Sequence, residues 1–327
     1  MGRIKQYGRR VLVLILTSCC LIAGSDVCAK DSLLIIRLDD DALREAVRGI
    51  RSEIREHFLI NDMLVRANTT SNEISRKMRE ISPKLVILMD NAAISLYKRF
   101  QKGLPDPSKA VPSVSIMASF MDLVIRDMKN ATGIFYEVPV VTSVVSLRSV
   151  MPSVPLKRIG VVHREFMEPS VRMNRGYCKR ENIELVSRLI TRNYNVRSDI
   201  KKNLKLLNAR NIDALWIPND NKFLNAGLIQ SVWIPFVRQF GKPVIVGVEV
   251  LVRPEFEFGT FAVIPDPFEL GTQAAEIIYD IRDNNWRAEG REIEPPRSVH
   301  KIINMEQARR LFRIDKEKLG SIDKILE

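Results

Sequence analysis

Polar residues in this chain collect where runs of aliphatic residues stop. Asp39 and Asp40 follow Leu33–Leu38, Asp90 and Asn91 follow Leu85–Met89, and Ala118 and Ser119 close the run from Ser113. Tyr136 and Glu137 end the run that begins at Thr132, and His163, Arg164 and Glu165 end Arg158–His163. Asn219 and Asp220 follow Ala214–Pro218, Glu249 follows Pro243–Val248, and Asp266 follows Gly259–Ile264. Acids, amides and one arginine gathered in this way suit a small zwitterion or polyol. A carboxylate takes an ammonium group, and Arg164 can grip a carboxylate through two parallel N–H bonds. Some of these residues also have structural duties to perform. Asp40 and Asp266 stand where helix N-caps are needed, Asn219 and Asp220 suit turns, and Tyr136 and His163 can pack or satisfy a neighbour. Arg164 and Glu249 stand out as ligand contacts, because both follow buried strands whose pattern needs no charge.

Other chemistries find little support. The sequence contains no G-x-S-x-G, no phosphate-binding Walker loop and no H-E-x-x-H, and no G-x-G-x-x-G follows a strand. Three scattered histidines and few cysteines leave little for a catalytic triad or a transition metal. A pair of carboxylates could do acid–base work, yet the pattern singles out no pair. The chain is therefore expected not to be an enzyme and to need no cofactor. Net charge is +12, but no Lys/Arg block dominates and aromatic residues make up 7%, so nucleic acid is not expected as a partner. The charge reads as a basic soluble surface.

The elements that must hold the polar residues alternate regularly. Continuous apolar strands at about 33–38, 59–67, 85–89, 113–118 and 132–138 are separated by amphipathic helices at about 42–56, 71–81, 92–102 and, more briefly, 120–128. A helix from Pro139 to Met151 then starts a second series. Its strands are at about 158–163, 184–191, 214–218 and 243–248, with helices at 169–181, 198–209 and 224–240. Gly259–Ile264 reads as a strand running into a helix through Asp266-Pro267-Phe268-Glu269, a capping box with proline at the first helical position. A polar loop over 287–296, a strand over 299–303 and a terminal helix from Met305 complete the chain. Strands alternating with helices predict parallel sheets covered on both faces. The expected fold class is α/β, with two Rossmann-like lobes, each of single-domain size, and a ligand cleft between them.

The first 29 residues read as an export signal. Arg3, Lys5, Arg9 and Arg10 precede an apolar stretch from Val11 to Gly24, and Val27-Cys28-Ala29 offers a small-residue cleavage site before Lys30. Leu16-Thr17-Ser18-Cys19 resembles a lipobox that would place a lipid on Cys19; it ranks second because apolar residues still follow it. Arg9-Arg10-Val11-Leu12-Val13 weakly resembles a twin-arginine signal. Cleavage would leave a net charge of +9 and Cys178 alone, and a lone cysteine forms no internal disulfide. A large-core protein of the bacterial periplasm fits that pattern.

Several segments together resemble bacterial ABC-transporter substrate-binding proteins with the type I periplasmic binding fold. Lys129-Asn130-Ala131-Thr132-Gly133-Ile134 resembles their N-x-T-G segment, and Pro155 with Leu156–Val162 resembles their entry to the second lobe. Gly259–Ala262 with Phe268–Ala275 resembles G-A-L-A…Y-x-x-L-G-x-x-A-A, and Ile303–Ala308 resembles the segment before the last helix. The match spans about residues 32–314 and lies in the order and spacing of its pieces. The chain departs from the pattern at Asp39-Asp40-Asp41, where a proline-containing loop is usual, at Phe268, where tyrosine is usual, and over Lys222–Gly227. The resemblance implies three crossings between lobes, near Ile134–Val138, Gly259–Pro265 and Pro295–Val299. It implies an N-terminal lobe of residues 30–136 plus 265–295 and a C-terminal lobe of 137–258 plus 299–327. It also implies a periplasmic protein that closes on a small polar, amino acid-like ligand, and the strand ends place that ligand at the hinge pair Tyr136 and Glu137 and at Asp40, Asp90, Asn91, Ser119, Arg164, Asn219, Glu249 and Asp266. The partner would be an inner-membrane ABC permease, or a membrane sensor in an alternative signalling role.

Overall fold

The computed structural model describes residues 30–191 and 195–327. The export signal and Cys19 lie outside the described residues. Two sheets organise the chain. The first is built from β1 (Asp31–Arg37), β2 (Phe58–Leu64), β3 (Leu85–Met89), β4 (Ser113–Ile116) and β5 (Ala131–Gly133). All its pairings are parallel, in the order β2-β1-β3-β4-β5. Its helices are α1 (Asp41–Ile54), α2 (Ser71–Ile81), α3 (Asn91–Lys102) and the single turn α4 (Met121–Val124). The alternation in β1 shows why the sheet is covered on both sides. Leu33 and Ile35 enter one core with α1, while Leu34 and Ile36 enter the other with α2 and α3.

The second sheet contains β6 (Arg158–Arg164), β7 (Glu184–Ile190), β8 (Ala214–Ile217), β9 (Val244–Val246), β10 (Phe261–Pro265), β11 (Val299–Asn304) and β12 (Lys324–Leu326), in the order β12-β11-β10-β9-β8-β6-β7. Only the β10–β11 pairing is antiparallel. Its faces are covered by α5 (Val140–Val150), α6 (Glu168–Arg180), α7 (Val196–Asn208), α8 (Ala226–Leu228), α9 (Ile234–Phe240) and, near the end of the chain, α11 (Met305–Leu311). Cys178 is buried in α6, and burial pushes its thiol up to about 11, so it stays protonated at neutral pH.

Between β10 and β11 the chain leaves the second sheet as α10 (Pro267–Asp283) and packs on α1 of the first. Two glycines allow that seam. A Cβ at Gly49 would fall 2.0 Å from the Phe268 carbonyl oxygen, and one at Gly271 would fall 2.0 Å from the Ala46 carbonyl oxygen. The helices touch backbone to backbone there. On either side, Leu270, Ala274, Ile277, Ile278 and Ile281 are buried with Val47 and Ile50. Each large aliphatic side chain removed from water contributes about 1.5–3 kcal/mol.

Four local expectations need correction. The strand expected over 132–138 ends at Gly133, with Ile134 adding a single bridge. The helix expected over 224–240 is broken into α8, a π-helical turn at Ile229–Trp233, and α9. Pro235 supplies no N–H to the helical ladder, so the backbone widens ahead of it. The 120–128 helix is reduced to α4, and β2 ends at Leu64 rather than reaching Ala67. The polar loop over 287–296 also does structural work. Glu294 bridges Ile134 at the edge of the first sheet, with Phe135 N–H donating to the Glu294 carbonyl at 2.8 Å. That pairing covers an edge strand that would otherwise be open.

Candidate ligand cleft

Both sheets aim the C-terminal ends of their parallel strands at one cleft, where α/β folds bind ligands. The lobes meet across it at Phe120, in the loop before α4, and Phe166, just after β6. Their rings stand edge to face with centroids 5.0 Å apart. Beside this contact lies a cavity of about 50 Å³ open to the centres of water molecules, room for a few waters. Tyr136 and Glu137 line it from the crossing, Trp216 and Asn219 from the end of β8, and Gly247 from the end of β9, with Met167 and Asn174 on the α6 side.

Three residues expected at the site reach this cavity: Tyr136, Glu137 and Asn219. Glu137 Oε1 accepts the Phe120 N–H at 2.7 Å. The carboxyl is surrounded by protein but keeps some solvent contact, and desolvation raises it from the ordinary 4.5 to about 7. Burial, with the acids Glu137, Asp40 and Glu249 adding to it, pushes Tyr136 up to about 12. Asp40 and Glu249 therefore lie within electrostatic reach of the Tyr136 hydroxyl. Asn219 donates from Nδ2 to the Gly247 carbonyl at 3.1 Å, while its Oδ1 is buried without a hydrogen-bond partner.

The other expected residues are held by neighbours. Asp40 caps α1, accepting from Ala42 N at 2.9 Å, and Asp90 caps α3 while also accepting from Leu38 N. Burial raises the Asp90 carboxyl above the usual range. Asn91 and Ser119 tie the ends of β3 and β4 together through two 2.9 Å bonds. Asp266 caps α10 and pairs with His300 at 3.0 Å. Glu249 pairs with Lys324 at 2.6 Å. Arg164 gives its fork to Asp220, with bonds of 2.6 and 2.7 Å, and lies over the Phe166 ring. His163 is fully buried, its Nδ1 3.1 Å from the Arg164 carbonyl oxygen, and burial lowers its pKa.

The first lobe's rim carries strain. Asp90, Met117 and Phe120 all have positive φ, at 83°, 59° and 59°. Non-glycine residues pay of order 1–3 kcal/mol for such conformations, which persist where the surroundings enforce them and cluster at functional sites.

Phe120, Trp216 and Gly247 were not singled out from the sequence. Trp216 sits inside a continuous apolar strand and reads there as core. Gly247 was legible as a glycine at a strand end, a place where close approach is expected. A Cβ there would fall 2.5 Å from Asn219 Oδ1.

Comparison with solved structures agrees with this geometry. A ligand-free, open substrate-binding protein with adhesive properties from Clostridium difficile matches 90% of this chain and 99% of its own, at 16% identity and a TM-score of 0.64. A Streptococcus pneumoniae ABC domain in complex with L-Trp matches 90% of this chain and all of its own, at 16% identity and a TM-score of 0.57. The fold is that of the type I periplasmic binding proteins. A periplasmic ribose ABC transporter protein from Conexibacter woesei covers 87% of this chain at 13% identity and a TM-score of 0.50. No protein-family model matches the sequence, and no curated protein matches it. Among the described residues, no helix is long and apolar enough to cross a membrane, and no cluster of His, Cys, Asp and Glu could hold a metal ion.

Proposed function

We propose that this chain is an exported, periplasmic solute-binding protein that closes two lobes on a small polar ligand and presents the closed form to an inner-membrane ABC permease. The lobes would be residues 30–136 plus 265–295 and 137–258 plus 299–327, turning about the crossing that carries Tyr136 and Glu137. The observation that carries the reading is the interlobe cavity at the strand ends, beside the Phe120–Phe166 contact and lined by Asn219, whose buried amide oxygen has no partner. A stable fold leaves few such atoms unpaired, because each costs about 1–3 kcal/mol. A ligand group can supply the missing bond. The cavity has room for only a few waters, so a larger ligand enters when the Phe120–Phe166 contact parts, which is hinge motion.

A thermal-shift screen of the purified protein against amines, amino acids, sugars and nucleobases tests the reading. A ligand at about 100 times its Kd stabilises the folded state by about 2.7 kcal/mol. One class of compound should raise Tm by several degrees. A folded protein that responds to no class contradicts the proposal.

A further inference from the structure

We infer that the cavity takes an organic cation presenting N–H donors, and not a carboxylate or a phosphate; this rests on the solute-binding reading above. The decisive feature is the sign of the uncommitted polar atoms. Asn219 is nine-tenths buried, and its Oδ1 lacks a partner. The direction of the amide is fixed by its other end. Nδ2 donates to the Gly247 carbonyl, and flipping the group would set two oxygens against each other. A Cβ at Gly247 would fall 2.5 Å from Oδ1, so the glycine lets the amide pack directly on its backbone at the cavity lining. Glu137 supplies a carboxylate next to it. One of its oxygens holds the Phe120 N–H, but a carboxylate accepts up to about four hydrogen bonds, so capacity remains.

No lysine, arginine or histidine is among the described residues lining this cavity. The basic residues at nearby strand ends set their charge against other acids, with Arg37 Nε buried and unpartnered away from this lining. Arg164 is forked onto Asp220, and Arg37 bonds the Leu38 carbonyl and faces Asp39 and Asp62. An anionic ligand would therefore meet the Glu137 carboxylate with only the hydroxyls of Tyr136, Ser143 and Ser170 as side-chain O–H donors, and no counter-charge. A cation meets a carboxylate, an amide acceptor and the aromatic walls of Phe120, Tyr136 and Trp216, which favour positive charge over their faces.

Matched probes test the sign directly. Tryptamine and agmatine are compared with indole-3-acetate and succinate, by thermal shift and then by titration calorimetry. At least one cation should raise Tm and bind, and both acids should be silent. Asn219→Leu should weaken that cation at least tenfold. Met173→Glu adds a carboxylate at an exposed position on the lining, so it should bind the cation as tightly as wild type or more tightly. Circular dichroism confirms that both variants fold, and the opposite directions separate loss of the acceptor from general damage. Binding of the acids with silence from the cations overturns the inference and leaves the solute-binding reading standing. A cation whose affinity is unchanged in both variants also overturns it. Silence from these probes and from the wider panel overturns both.

Discussion

The strand ends of the two sheets face the same cleft but have spent their polar groups differently. In the first sheet nearly every polar side chain at the rim is used by the fold. Asp40 and Asp90 cap helices, and the Asn91 side chain clasps the Ser119 backbone, donating to its carbonyl and accepting from its N–H. In the second sheet Arg164 and Asp220 are likewise consumed as a pair, yet Asn219, one residue away, leaves an acceptor unpaired in a buried place. Neither charge nor position at a strand end therefore identifies a ligand contact. Uncommitted acceptors on the cavity lining do, and Asn219 and Glu137 supply them; other buried unpaired atoms, such as Arg37 Nε and Ser115 Oγ, lie off that lining.

That comparison can be broken at the saturated pair first. Asp220 is almost fully buried and its partner Arg164 mostly so. Asp220→Ala leaves the guanidinium unpaired in a protein environment and should cost about 3 kcal/mol in urea unfolding, at the low end for breaking a buried pair because Arg164 keeps some exposure. Arg164→Leu on that background should recover much of the loss. A cost under 1 kcal/mol for Asp220→Ala would show that the pair is not what holds Arg164 out of the cavity.

The unsaturated side responds to pH. Glu137 is raised from 4.5 to about 7, so the folded state prefers its protonated form. The group's contribution is fully present below pH 4.5 and is lost as pH rises through about 7. The residues bearing on this carboxyl are Phe120 through its N–H and Asp122 through its charge, with Tyr136 as its chain neighbour. Glu137→Gln is neutral at all pH and still accepts from Phe120. It should be more stable than wild type by on the order of 2 kcal/mol at pH 8, with no gain at pH 4. Equal stability at both pH values would place Glu137 in ordinary solvent. If the cavity takes a cation, wild-type affinity should also rise as pH passes through 7, and the Gln variant should lose that dependence.

A smaller effect sharpens the account of the first rim. Asp90 combines a cap with φ of 83°. Asp90→Ala loses the cap and keeps the strain, and should cost about 1–2 kcal/mol by thermal unfolding. Asp90→Gly tolerates the backbone and should cost about 1 kcal/mol less than the alanine variant. Equal costs would mean that the left-handed backbone at this position relaxes in solution.

Much of this architecture is legible in the sequence because its signals are local. The aliphatic run Leu85–Met89 followed by Asp90-Asn91 marks a buried strand and a capped helix. Asp266-Pro267-Phe268-Glu269 announces α10 in the same way. Gly49 and Gly271 carry no such signal. Their meaning, two helices touching at their backbones, exists only once α10 has crossed to the first sheet. Breaks from Pro235 are also hard to place, since proline is tolerated in a first helical turn. The site is less legible for a physical reason. Tyr136, Glu137 and Asn219 are visible as polar residues at strand ends, but so are Arg164, Glu249 and Asp266, which the fold engages with Asp220, Lys324 and His300. Pairings across 56 or 75 residues decide which groups stay uncommitted, and spacing along the chain does not encode them. Phe120 and Trp216 read as core because an aromatic wall of a cleft and an aromatic core residue have the same local pattern.

Hinge closure on this cavity is the claim on which the rest depends, and an interlobe distance measures it. In the protein made without residues 1–29, Cys178 is the single cysteine and is buried, so nitroxides can be placed at exposed positions by Ser95→Cys in the first lobe and Lys202→Cys in the second. Double electron–electron resonance is then recorded without and with the compound that most raises Tm. The account predicts a long or broad distance distribution that becomes shorter and narrow on binding, and that stays long when Asn219→Leu is added. An unchanged distribution in the presence of a saturating, stabilising compound would contradict it.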